Sequence, residues 1–134
     1  MFGSQFGSQG NEDASASPGL VAILPVGDMA SAQRFFERLG FRADYAEDEY
    51  AILGDEQGAQ VHLKKAGPSF LKPADPIGLY LYTQDVDRLA AEFRDEILES
   101  GKRPEEKEWG TYEFTLMGPE GIEVRVGWPI EAQG

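Results

Sequence analysis

The stretch IGLYLYTQDVDRLAAEFRDEILESG, residues 77–101, decides the fold because it repeats an order of signals already met once in the chain. Ile77 to Thr83 alternates apolar and aromatic residues as a short strand does, and Asp85 stands where a helix N-cap belongs. Val86, Leu89, Ala90, Phe93 and Ile97 then recur at helical spacing, which predicts a helix closed by Gly101. The first occurrence begins at Leu20 to Val26, an apolar run of strand length ended by Gly27 and the cap candidate Asp28. Met29, Ala32, Phe35, Phe36 and Leu39 mark its helix, and Gly40 sits at the left-handed C-terminal position.

Each helix is followed by three strand-like segments. In the first half they fall at about 41–46, 49–53 and 59–64, the last pair joined by a turn over Asp55 to Gly58. In the second half a weak segment near 105–108 precedes 111–117 and 122–127. Even the wording recurs, since Gly54-Asp55-Glu56-Gln57-Gly58 with its following VHL corresponds to Gly118-Pro119-Glu120-Gly121 with its following VRV. The expectation is an α+β chain in which one βαβββ unit has been duplicated, module one over about 20–64 and module two over about 77–127 of a single domain, 19–134. Residues 1–18, with the doubled FGSQ at Phe2 and Phe6, are too polar to offset their ordering entropy and read as a disordered tail.

A curled four-stranded sheet with one helix against it leaves its other face open, so two such units can enclose a cleft. Strand parity assigns Leu24, Val26, Leu79, Leu81, Phe114, Leu116, Val124 and Val126 to the helix side. It assigns Val21, Ile23, His62, Tyr80, Tyr82, Glu113, Thr115 and Arg125 to the cleft.

Composition bounds what such a cleft can do. The 134 residues carry a formal net charge of -12, which repels phosphate backbones and anionic headgroups and attracts cations. Nucleic acid and membrane partners are therefore not expected. The chain has no cysteine, which removes disulfides, thiolate nucleophiles and cysteine-held metals and suits a cytoplasmic setting.

The motifs Ile23-Leu24-Pro25-Val26-Gly27-Asp28, Phe35-Phe36 and Leu39-Gly40-Phe41 resemble the vicinal-oxygen-chelate superfamily of glyoxalases, extradiol dioxygenases, fosfomycin resistance enzymes and bleomycin resistance proteins. Trp109-Gly110, Glu113-Phe114, Pro119-Glu120-Gly121 and Arg125-Val126-Gly127 resemble the bleomycin resistance group in particular, with one departure at Gly118, where that group usually has an acid. The resemblance implies curled mixed sheets and a domain-swapped homodimer whose clefts draw on both chains. Carried over by motif offset, the superfamily's metal positions fall on Val21, His62, Gly78 and Arg125. Only one of these can coordinate a metal, and a guanidinium repels it, so neither a resident metal nor any other cofactor is expected.

The expected function is therefore non-catalytic binding and sequestration, hence antibiotic resistance, directed at a bleomycin-type glycopeptide or similar cationic aromatic compound. The alternatives are a metal-dependent or cofactor-free enzyme on the same scaffold (lyase, dioxygenase or transferase) and a binder of another metabolite. No catalytic residue is assigned. The ligand-binding candidates are Tyr45, Tyr50, His62, Tyr80, Tyr82, Trp109, Glu113 and Arg125. Trp109 suits either stacking or core packing, Tyr80 and Tyr82 a phenol wall or ordinary filling, and Glu113 either a ligand cation or, slightly favoured, an internal pair with Arg125. His62 suits a ligand contact or a structural role. Tyr45 and Tyr50 flank the acidic run Asp44, Glu47, Asp48 and Glu49, which reads as a cation-attracting rim or a solvated loop.

Overall fold

A computed structural model describes residues 19–67 and 77–130. The expected tail, and a connection containing Pro68, Pro73 and Pro76, lie outside the described residues. The first unit runs β1 (Ile23–Val26), α1 (Met29–Arg38), β2 (Arg42–Ala46), β3 (Tyr50–Gly54) and β4 (Gln60–Lys65). The second runs β5 (Gly78–Tyr82), α2 (Val86–Phe93), a 3-10 turn (Arg94–Glu96), β6 (Glu105–Glu106), β7 (Thr111–Met117) and β8 (Glu123–Pro129). Strand order is β1-β4-β3-β2 in one sheet and β5-β8-β7-β6 in the other, with the first and last strands of each unit parallel and the rest antiparallel. Two copies of one βαβββ topology are thus present, as the repeat implies.

The two helices begin differently. Asp28 caps α1 by accepting from the Ser31 N–H at 3.0 Å, and Gly40, with φ of 100°, closes the other end while the Phe41 N–H reaches the Phe36 carbonyl. Asp85 occupies the corresponding place before α2 but makes no side-chain cap: its backbone, at φ of -84° and ψ of 33°, is not extended as that of Asp28 is, and its carboxylate accepts from Arg88 at 2.9 Å. The second helix also stops short of Gly101. It ends at Phe93, and Arg94 takes φ of 21°. The break lets Ile97 stay in the core in extended conformation while the chain swings to β7, where the Leu98 N–H donates to the Thr115 carbonyl at 2.9 Å. Helical spacing across Phe93 and Ile97 records burial on both sides of a kink rather than one continuous helix.

Every residue assigned to the helix side is buried except Leu79, which packs against the core from a partly buried position. Within one chain the units meet through their helices and a hairpin tip. Phe35 stands 5.8 Å from Phe93 ring to ring, and the Arg38 guanidinium lies 4.2 Å above Phe93 while donating to Glu92 and Glu96. Glu120, in the β7–β8 turn, accepts from the Gly27 N–H at 2.8 Å, one residue before the α1 cap. The other faces of the two sheets keep apolar side chains in solvent: Ile23 is 55% exposed, Tyr82 56% and Met117 58%.

Gly118, the departure from the resembled pattern, has a packing reason. A Cβ there would stand 2.9 Å from Val124 Cγ2 and 3.0 Å from the Ile122 carbonyl, with Phe35 beyond. Gly118→Asp should therefore destabilise the chain by about 1–3 kcal/mol in urea unfolding, because the neighbours are backbone and a stiff β-branched side chain. An unchanged midpoint would show that the turn can yield.

Candidate ligand-binding site

The open face of the second sheet is organised by one carboxylate. β5, β8 and β7 place Tyr80, Arg125 and Thr115 in one cross-strand row, and Tyr82, Gly127 and Glu113 in the next. Glu113 is fully buried beneath this face. Its Oε1 accepts from the Thr111 hydroxyl at 2.5 Å, the Tyr80 hydroxyl at 2.8 Å and the Trp109 indole N–H at 3.2 Å. Its Oε2 accepts from the Arg125 guanidinium at 3.0 Å. A buried charge is tolerable only with such compensation. Burial alone would raise the Glu113 pKa, but the bonds from Thr111, Tyr80, Trp109 and Arg125 outweigh it and hold the carboxyl below its ordinary value.

Room for this cluster comes from Gly127. A Cβ on it would stand 2.3 Å from the Tyr80 hydroxyl oxygen, 2.5 Å from Glu113 Cβ and 2.8 Å from the Tyr112 carbonyl oxygen. Only a residue without a side chain lets Tyr80 and Glu113 meet across β8. Burial, and the Glu113 carboxylate that would repel a phenolate, push the Tyr80 phenol up to about 12, so it remains a donor. Arg125 also donates to Glu123 at 3.2 Å, and its pKa is raised because those carboxylates outweigh the desolvation that would lower it.

Trp109 is pinned by its edge and displayed by its face. Its N–H is committed to Glu113, yet the residue is 62% exposed, and the Arg125 guanidinium lies 5.7 Å from the ring centroid. Gly110, with φ of 92°, makes the turn that presents it ahead of β7. Tyr82 stacks on Tyr80 with ring centroids 4.4 Å apart, extending an aromatic surface to the sheet edge.

On the first sheet, pairing aligns Ile23, His62, Ile52 and Tyr45 in a single row across all four strands. Tyr50 places its hydroxyl 2.6 Å from His62 Nδ1. Tyr45 is exposed, and its phenol is raised by the hydrogen bond to Glu47. The structure thus groups Trp109, Tyr80, Tyr82, Glu113 and Arg125 on one sheet and Tyr45, Tyr50 and His62 on the other. Glu113 differs from the rest: it lies beneath the surface as the common acceptor, and the internal pair with Arg125 is the arrangement found. Sequence reading missed Thr111, Glu123 and Gly127. The first two share strand parity with Glu113 and Arg125 and were within reach of that rule; the close approach at Gly127 is visible only in three dimensions.

The residues at the superfamily's metal positions do not fit a resident divalent ion. Arg125 is paired with two carboxylates, Val21 and Gly78 offer no side-chain donor, and His62 already has Tyr50 against Nδ1. Among the described residues no three His, Cys, Asp or Glu side chains converge as a ligand set.

The lowered Glu113 pKa fixes a sign. Its contribution to stability is fully present above the ordinary carboxyl value of 4.5 and is lost as pH falls below it through the folded-state value. Glu113→Gln should cost about 3 kcal/mol at neutral pH, since it leaves Arg125 without its buried counter-charge. It should also flatten the acid limb of a stability–pH profile. A variant retaining the wild-type acid limb would assign that limb to other carboxylates.

Solved structures with this architecture include a bleomycin-binding protein complexed with bleomycin, 23% identical, with a TM-score of 0.67 over 84% of this chain and 98% of that one. A bleomycin resistance determinant encoded on the transposon Tn5 is 22% identical, with a TM-score of 0.68 over 84% and 98%. The bleomycin-binding protein from bleomycin-producing Streptomyces verticillus, complexed with copper(II)-bleomycin, is 18% identical, with a TM-score of 0.62 over 87% and 98%. No curated protein sequence matches the chain. No helix among the described residues is long and apolar enough to cross a membrane. Residues 19–126 match the family model for the Glyoxalase/Bleomycin resistance protein/Dioxygenase superfamily, and the chain belongs to that superfamily.

Proposed function

We propose that this chain binds a bleomycin-type glycopeptide, or a similarly cationic aromatic compound, and sequesters it without turnover. The observation that carries the reading is Trp109, an exposed indole face held in place by an internal hydrogen bond to a buried carboxylate. A ring ordered before binding loses little rotamer freedom when a planar heteroaromatic group stacks on it. The acidic balance of the chain as a whole attracts cationic compounds. Structural likeness to proteins solved with bleomycin and copper(II)-bleomycin supports the same direction.

The exposed apolar side chains of both open sheet faces favour a homodimer in which module one of one chain faces module two of its partner. Each cleft then sets Tyr45, Tyr50 and His62 opposite Trp109, Tyr80, Tyr82 and Arg125.

Calorimetry and tryptophan fluorescence with copper-free and copper-loaded bleomycin test the proposal. Wild-type protein should give saturable heat and quenching, and the drug should be recovered chemically unchanged. Trp109→Ala should weaken binding by 10-fold or more, about 2 kcal/mol for an aromatic anchor, and should also lower the melting temperature, because Glu113 loses one of its four donors; Trp109→Phe, which keeps a stacking face without the N–H, should show the same thermal loss with a smaller loss of binding. Absence of heat and of quenching at micromolar protein would overturn the reading. Sedimentation at the mass of one chain would remove the paired cleft.

A further inference from the structure

His62 is the chain's only histidine, and it stands on β4 in the middle of the open face of the first sheet. Its ring is half-buried and meets Tyr50 edge-on, with centroids 5.4 Å apart and planes at 81°. The Tyr50 hydroxyl lies 2.6 Å from Nδ1. Among the described residues nothing else bonds to that hydroxyl, and nothing bonds to His62 Nε2.

The polarity of the contact follows from what each group can offer. A phenol keeps its proton at neutral pH and, where water is partly excluded, needs an acceptor for it. Nδ1 is the acceptor within reach. The opposite polarity, with Nδ1–H donating to the phenol oxygen, would leave the phenol O–H with no protein partner among the described residues. With Nδ1 as the acceptor, the ring hydrogen lies on Nε2.

A ring fixed in this way has a donor facing the open sheet and no free lone pair. Nδ1 is consumed, and Nε2 can neither accept a hydrogen bond nor ligate a metal without first losing its proton. We propose that His62, with Tyr50 as its positioning residue, is a fixed donor to a neutral oxygen acceptor of the ligand, of the amide carbonyl class. A neutral N–H supplies no counter-charge for an anion, and the acidic chain around it disfavours one. The proposal rests on the sequestration reading and adds to its aromatic contact a polar one with a defined direction.

Because the chain has one histidine, long-range 1H–15N correlation of labelled protein reads its tautomer without assignment. The wild-type spectrum should show Nδ1 unprotonated and Nε2 protonated. Tyr50→Phe should relax this to a tautomer mixture, a change that loss of packing alone would not produce. Stoichiometric zinc should leave the wild-type spectrum unaltered. In bleomycin calorimetry, His62→Leu should bind about 3- to 10-fold more weakly, the effect of one lost hydrogen bond. His62→Gln, which returns an amide N–H near the Nε2 position, should recover most of the loss, and melting curves identify any variant that fails to fold. A protonated Nδ1, zinc ligation at Nε2, or wild-type affinity in His62→Leu would each overturn the donor role while leaving sequestration standing. Failure of the wild-type chain to bind bleomycin would remove sequestration and the donor role together, with the apo spectrum still reporting whether the ring is locked.

Discussion

A carboxylate taken wholly out of water must find its solvation inside the protein, and Glu113 finds it in four donors drawn from three strands and one loop. That requirement organises the second sheet. It dictates a residue without a side chain at Gly127, keeps the Tyr80 phenol protonated, and orders both the Arg125 guanidinium and the Trp109 ring. Replacing any one donor leaves a buried charge undersupplied, so the face behaves as a unit rather than as separate contacts. The loop before β7 is fastened to the sheet through this same atom cluster.

Around that unit the fold solves a second problem, how two half-covered sheets share one chain. Each sheet buries one face against its helix. The helices then pack on each other, with Arg38 lying over Phe93 and bonded to two acids beyond it, and with Glu120 tying the β7–β8 turn to the residue before the α1 cap. These contacts use the covered sides of both units and leave their open sides to solvent.

Much of this was legible in the residues. Duplicated strand, helix and turn signals announced the topology, and strict alternation along β1, β5, β7 and β8 divided the helix side from the open side. Alternation also put Glu113 and Arg125 on one face, close enough in register to pair. Alternation could not say that Glu113 sits beneath the surface, because depth depends on what neighbouring strands carry: Gly127 opens a space and Thr111 helps fill it. The length of α2 was misread for a related reason, since Ile97 is buried after a backbone kink that leaves no mark on apolar spacing. Asp85 looked like Asp28 in sequence, but its backbone does not take the extended conformation that lets Asp28 cap.

The commitment of the Trp109 indole N–H to Glu113 bears on how selective the site can be. With its single polar atom turned inward, the ring offers a neighbour only its flat faces, and every conjugated ring system has a face to return. A surface of that kind grades compounds by planarity, area and charge rather than by their pattern of donors and acceptors. Under the proposed function, close chemical relatives of one ligand would be accepted together, and discrimination among them would fall to polar groups away from the ring.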